Sequence, residues 1–245
     1  MTRQVGIRLL PNEIDRFLEI PVFREKFYDF IQVLPAPGIA IEKIERLKEI
    51  DTEFVVHIPY YDHGVDLSVD KPENEGGLYI ARKSADILKA KYIILHAGKD
   101  GTVGALEANL GMYGCDKRYI VENTVNGQVL ATAEEIRGFC DKWGIESCFD
   151  FGHAIARRNK SGQGFPNGYL ICCNDFLDVL NPKVIHFYDT YTTSEVEGHL
   201  HFGEGNLDIP AMLEIMPKDI PVLLEVPALT NYEKLKRDVE LVRKS

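Results

Sequence analysis

The chain has 245 residues, 45% hydrophobic and 27% charged, with a formal net charge of −10. That is enough to bury a core without staples, and no window approaches the ~18 consecutive apolar residues of a membrane span. The acidic balance lacks the basic footprint usual in nucleic-acid-binding proteins, although a local patch or bound metal can override the global sign. Five cysteines, Cys115, Cys140, Cys148, Cys172 and Cys173, form no C-x-x-C, which argues for free thiols over a disulfide framework or zinc knuckle. Met1 to Leu10 lacks the apolar stretch and cleavage site of a signal peptide, so the cytoplasm is the expected compartment.

In chain order, strands are predicted at Gln4–Leu9, Phe30–Leu34, Phe54–Ile58, Tyr92–His96, Tyr119–Glu122, Glu146–Asp150, Val184–Phe187 and Val222–Val226. Their continuous apolar runs fit a parallel sheet covered on both faces. Helices are predicted between them at Ile41–Glu49, Leu78–Leu88, Ala133–Trp143, Phe176–Leu180, Ala211–Ile215 and Tyr232–Arg243. Thr132 with Glu135, and Thr230 with Glu233, read as capping boxes. Glycine-bearing loops are expected at Tyr60–Gly77, Gly98–Gly114 and Ala156–Gly168. Regular βα alternation predicts one (β/α)8 TIM barrel domain over 1–245. The alternative is an open doubly wound sheet, and the lack of G-x-G-x-x-G after the first strand counts against it.

The strand ends carry the chemistry. Strands 3 to 8 deliver His57, His96, Glu122, Asp150, His186 and Glu225 to one rim, where barrel active sites are built. One such residue alone would read as a hydrogen-bonded histidine or a loop anchor. Six together place several carboxylates and imidazoles at one mouth, at a heavy cost in repulsion and desolvation unless a cation is present. Imidazoles and carboxylates suit zinc, manganese or iron.

Between strands 7 and 8 lies Glu197-Gly-His199-Leu-His201-Phe-Gly203-Glu-Gly205. Glu197 and His199 face the site if that segment is extended, and a solvated loop is the other reading. The glycines suggest a turn that lets backbone approach the site. Arg157-Arg158-Asn-Lys160 could hold a phosphate or form a solvated face. His63 and Asp66 are weaker candidates.

His57-Ile-Pro-Tyr60, His96-Ala-Gly98, Glu122-Asn-Thr124, Asp150-Phe-Gly-His153, His186 and Glu225, in that order, resemble the xylose isomerase-like TIM barrels. That group includes endonuclease IV (AP endonuclease family 2) and many sugar isomerases and epimerases. The endonuclease IV likeness implies three zinc ions. His57, His96 and Glu122 would hold the first. Glu122, as a bridge, would hold the second with Asp150, His186 and Glu225. His153, Glu197 and His199 would hold the third, with Glu197 standing where that family has Asp. Tyr60 matches an aromatic of its first signature, and Arg157, Lys160 and His201 are candidate substrate or phosphate contacts.

The resemblance implies a metal-dependent enzyme with two or three ions and a sugar-phosphate-containing substrate, such as abasic DNA. Endonuclease IV-like phosphoester hydrolysis is the first reading, with Glu122 and Asp150 orienting the attacking hydroxide. The second is a sugar or sugar-phosphate isomerase or epimerase with one metal, in which Glu122 and Glu225 move the proton. The third is a non-catalytic barrel. Leu34-Pro-Ala-Pro-Gly38 lacks the arginine that endonuclease IV inserts into DNA, and Asp62-His-Gly-Val-Asp66-Leu replaces an apolar run of its first signature. The sequence does not address substrate, metal or oligomeric state.

Overall fold

The computed structural model describes residues 2–125, 129–162, 165 and 168–245. Eight parallel strands close a barrel in chain order: β1 (Val5–Leu9), β2 (Phe30–Val33), β3 (Glu53–His57), β4 (Tyr92–His96), β5 (Tyr119–Glu122), β6 (Glu146–Asp150), β7 (Val184–Phe187) and β8 (Val222–Leu224). Closure runs through Val5, paired with Val222. The expected TIM barrel is therefore the observed fold. Strands β4 to β7 coincide with the predicted spans, and the others shift by one or two residues.

Described helices are α1 (Ile14–Glu19), α2 (Ile41–Arg46), α3 (Glu73–Leu88), α4 (Val103–Tyr113), α5 (Ala133–Trp143), α6 (Phe151–Lys160), α7 (Tyr169–Leu180), α8 (Ile209–Ile215) and α9 (Tyr232–Lys244). Five differ notably from the sequence reading, among them α1, which lies where no helix is predicted, and α7, which begins seven residues before Phe176. Helix α4 lies within the expected Gly98–Gly114 loop, started by Thr102, whose hydroxyl accepts from Ala105 N–H (3.1 Å). Gly104 and Gly111 lower its propensity and mask it. Helix α6 starts at Asp150 and runs to Lys160, into the stretch read as a loop from Ala156. Helix α3 begins five residues early, despite Gly76-Gly77, because a Cβ at Gly77 would meet the Val65 side chain at 2.6 Å. Glycine there lets the helix pack on the β3–α3 loop.

Of the two capping boxes, Thr132–Glu135 forms as predicted, whereas the second does not. Asn231 caps α9 by accepting from Lys234 N–H (3.1 Å), and the Thr230 hydroxyl donates to the Pro227 carbonyl (3.2 Å). The chain turns one residue later than the S/T-x-x-E spacing implies.

The barrel interior is layered by the two-residue period of strands. Phe30, Val55, Ile94, Ile120, Cys148, Val184 and Leu223 form one buried apolar cluster, distinct from the larger core under the helices. Gly6 leaves room for the Phe30 ring, which would lie 2.3 Å from a Cβ at that position. Two residues further along each strand come Arg8, Gln32, His57, His96, Glu122, Asp150, His186 and Glu225. The apolar layer is thus a floor, and the next layer at the C-terminal mouth is polar on all eight strands.

Gly6→Ala should overpack this floor and cost about 1–3 kcal/mol. Urea unfolding measures the loss, and Phe30→Leu added to Gly6→Ala should recover part of it. An unchanged midpoint in Gly6→Ala would refute the packing account.

Candidate metal centre

Register brings the polar layer together. His96 lies opposite Glu122 across β4 and β5, and Asp150 opposite His186 across β6 and β7. Glu122 sits at the centre, fully buried. Its Oε2 lies 3.1 Å from His57 Nε2 and 2.9 Å from His96 Nε2. Its Oε1 lies 2.6 Å from His186 Nδ1. His186 Nδ1 is also 3.8 Å from Asp150 Oδ2 and 3.7 Å from Glu225 Oε1.

The atoms that converge there lack hydrogen-bond partners. Glu122 Oε1, Asp150 Oδ2 and His186 Nδ1 are all buried and unsatisfied, because the short Glu122–His186 approach is not in hydrogen-bond alignment. Each unpaired buried group costs about 1–3 kcal/mol. Close, off-axis donors around one point are what a shared cation requires.

The tautomers point the same way. His57 Nδ1 lies 2.7 Å from the Ile58 carbonyl, His153 Nδ1 2.8 Å from the Asn123 carbonyl, and His199 Nδ1 2.9 Å from the Glu225 carbonyl. A carbonyl only accepts, so each Nδ1 carries a proton, and whenever the ring is neutral Nε2 is left as a lone pair. For His57 that lone pair faces a carboxylate oxygen, which requires a second proton or an intervening cation. His153 Nε2 faces Glu197 Oε2 at 3.5 Å.

Ordered neighbours hold the carboxylates. Asp150 Oδ1 caps α6 by accepting from His153 N–H (2.6 Å) and also from the Tyr188 hydroxyl (3.1 Å). A Cβ at Gly152 would meet that hydroxyl at 2.2 Å, so glycine is needed for Tyr188 to reach it. Gln32 Nε2 donates to Glu225 Oε1 (2.7 Å), and Arg8 Nη1 lies 3.7 Å from Glu225 Oε2.

Burial raises the Asp150 carboxyl to about 7. Burial would raise Glu122 as well, but His186 and His96 hold it well below the usual carboxylate range. For His153, burial works downward, yet Asp150, Glu122 and Glu197 carry it up to about 9. Burial and the Arg8 charge push His199 down to about 4.

Among the described residues, four triads could hold an ion: His57–His96–Glu122, Glu122–Cys148–His186, Glu122–Asp150–His153 and Asp150–His186–Glu225. Glu197 and His199 join none of them. They sit on a loop held by Asp189, which follows β7 and whose carboxylate accepts from the N–H groups of Gly203, Gly205 and Leu207. The expected close backbone approach therefore occurs, but onto Asp189. A Cβ at Gly205 would meet Asp189 Oδ1 at 2.4 Å. His199 takes a left-handed φ of +46° on that loop.

Other predicted residues fall elsewhere. Tyr60 stacks on His96 (5.3 Å, 17°) beside the mouth, its phenol pushed up to about 12 by burial. His201 is buried with Nδ1 donating to Asp238 Oδ2 on α9 (2.7 Å). Arg157 donates to the Thr124 carbonyl (3.2 Å) and lines a second cleft beside α5 and α7, while Lys160 is exposed at the end of α6. His63 packs edge-on against Tyr60. Asp66 accepts from the N–H groups of Ser68, Lys99 and Asp100, tying the β3–α3 loop to the β4–α4 loop.

Sequence reasoning missed Arg8, Gln32, Tyr188 and Asp189. Arg8 and Gln32 were detectable as polar residues two positions beyond Gly6 and Phe30 in otherwise apolar strands.

The molecule is thus a TIM barrel with buried His, Glu and Asp metal-site candidates at its C-terminal mouth. No family profile and no curated protein matches the sequence. Solved structures do match the fold. The TTHB071 protein from Thermus thermophilus, in a crystal soaked with ZnCl2, aligns with a TM-score of 0.70 at 19% identity, covering 98% of this chain and 97% of that one. Endonuclease IV from the same organism gives 0.69 at 18% identity, covering 98% of each chain. A D-psicose 3-epimerase, solved in the presence of D-fructose, gives 0.61 at 10% identity, covering 98% and 96%. These matches show a shared (β/α)8 barrel fold. Among the described residues no helix is long and apolar enough to cross a membrane.

Zinc binding to this cluster should stabilise the fold by about 2.7 kcal/mol at 100 times its Kd. Thermal unfolding with added zinc, and then with a chelator, reads this directly. A melting temperature indifferent to both would argue against a metal centre.

Proposed function

We propose that this protein is a metal-dependent phosphoester hydrolase of the endonuclease IV type, acting on a sugar-phosphate-containing substrate. The observation that carries this reading is the two-sided environment of Glu122. One oxygen faces His57 and His96, and the other faces His186 with Asp150 and Glu225 beyond it. A carboxylate with a separate donor set on each oxygen is built to bridge two ions. A single-metal isomerase has no use for His57 and His96.

His57, His96 and Glu122 would hold one ion, and Glu122, Asp150, His186 and Glu225 another. His153, Glu197 and His199 are the donors for a third. Zinc fits this nitrogen and carboxylate set, as do manganese and iron. Bound divalent ions would lower the pKa of water and neutralise phosphate oxygens.

The chain's own groups do the positioning. Asp150 keeps Oδ1 tied to His153 N–H and Tyr188, leaving Oδ2 as the oxygen that can orient a water. Gln32 fixes the rotamer of Glu225. Tyr60, protonated at neutral pH, covers the His96 ring and keeps an O–H available to a substrate oxygen.

One observation favours the isomerase or epimerase reading. The cleft over His96 and His153 is narrow, with room for little more than a water molecule between Tyr60, Tyr61, Lys99 and Glu197. A small sugar phosphate would need less widening of it than a duplex would. Glu122 and Glu225 would then exchange the proton beside the substrate carbonyl.

Metal analysis should return at least two ions per chain, and the zinc- or manganese-loaded protein should nick an abasic-site duplex. Glu122→Gln should lower the ion count and reduce nicking at least ~10²-fold, the scale of lost electrostatic stabilisation. One ion per chain, no nicking, and solvent deuterium entering a ketose would replace the hydrolase with the isomerase.

A further inference from the structure

Arg8 is the one fixed cation among the eight polar residues that the strands deliver to the mouth. It stands on β1, two positions beyond Gly6 on the same face, with its side chain 15% exposed. Arginine is rarely so deeply placed without partners. Its single ion pair among the described residues is with Glu225 Oε2, at 3.7 Å. That distance is too long for an N–H···O bond. The guanidinium otherwise donates to nothing among the described residues.

Glu225 does not need it. Gln32 Nε2 already donates to Glu225 Oε1 (2.7 Å), and His186 and His199 both lie within 3.8 Å of that carboxylate. Its position on β1, one strand from β8 and 3.7 Å from Glu225, puts the arginine on the same rim as the carboxylates, and its charge is felt by Tyr60 and His199. Five planar N–H donors with no hydrogen-bond acceptor among the described residues, beside the carboxylate cluster, form a fork for a two-oxygen anion.

We propose that Arg8 is the substrate-binding residue that captures a phosphate group of the substrate at the β1 side of the mouth. This rests on the metal-dependent reading for the identity of the site, and it narrows the substrate to one bearing a phosphate within reach of β1. Arg157 and Lys160, at the far end of α6, have no part in this contact. Arg8 touches substrate oxygens and moves no proton.

The test is titration of inorganic phosphate by calorimetry into zinc-loaded protein, with metal content measured on the same samples. Arg8→Met should weaken phosphate binding at least tenfold with the ion count unchanged, and Arg8→Lys, which keeps the charge but not the fork, about threefold. Equal phosphate affinity in wild type and Arg8→Met, at equal metal content, would show that Arg8 only offsets Glu225 and would overturn the assignment.

Should Arg8→Met fail to fold, phosphate must still protect Arg8 of the wild-type protein from phenylglyoxal, read by peptide mass spectrometry. Unprotected modification of Arg8 overturns the assignment equally. Competition then separates the sources of the phosphate. Displacement by ribose 5-phosphate marks a monoester, and displacement by a duplex with a tetrahydrofuran site marks a nucleic-acid backbone. Displacement by neither counts against Arg8 as a substrate contact. Phosphate binding that depends on Arg8 in a protein that takes up no metal would sink the hydrolase reading and leave this inference standing.

Discussion

Everything at the mouth of this barrel depends on burying the Glu122 carboxylate at the centre of a ring of imidazoles. It is fully buried, and donors on β3, β4 and β7 approach within 3.1 Å of its oxygens. Three carboxylates from β5, β6 and the end of β8 share this small volume. Without compensation, that arrangement would cost several kcal/mol per charge. Imidazolium charge or bound cations must supply the balance. The off-axis contacts favour cations, and with Nδ1 held on a carbonyl a neutral His57 or His153 turns an Nε2 lone pair inward.

The fold below exists to hold that ring at fixed spacing. Apolar side chains fill the layer beneath, with Gly6 making room for Phe30, so the polar layer rests on a packed floor rather than a pore. Above it, three loop anchors tie the rim. Asp150 caps α6 and orders His153. Asp66 binds the β3–α3 loop to the β4–α4 loop, which carry Tyr60 and Lys99. Asp189 gathers the Gly203–Gly205 turn and suspends Glu197 and His199 over the mouth. These carboxylates act through backbone N–H groups, a stronger class of hydrogen bond than neutral pairs. The reacting groups can therefore sit on rigid strands while the loops set access.

The similarity in fold to both an endonuclease IV and a sugar epimerase marks where the chemistry divides. Either proposed reaction would draw on Glu122, Asp150, His186 and Glu225, and only the proposed hydrolase would need the histidines on β3 and β4. The narrow cleft over the site has Lys99 and Tyr61 along its wall. A fold can host many reactions, so function must be read from such differences at the site.

The sequence by itself determined the barrel and the residues at six strand ends. Apolar runs in βα alternation leave few other ways to cover a parallel sheet, and a His, Asp or Glu closing strand after strand is legible without coordinates. Helix α4 was hidden by its glycines, and the cap of α9 proved to be Asn231 in place of Thr230 although the helix begins at Tyr232 as read. Arg8 and Gln32 were present in the text but silent, since which face of β1 and β2 looks inward is settled by register. Only the tertiary structure decided which oxygen of Glu122 meets which imidazole, that His201 turns to Asp238, and that Arg8 has Glu225 as its one ion pair among the described residues. Those are matters of side-chain direction and distance among strands up to about 220 residues apart in the chain, and no local pattern encodes them.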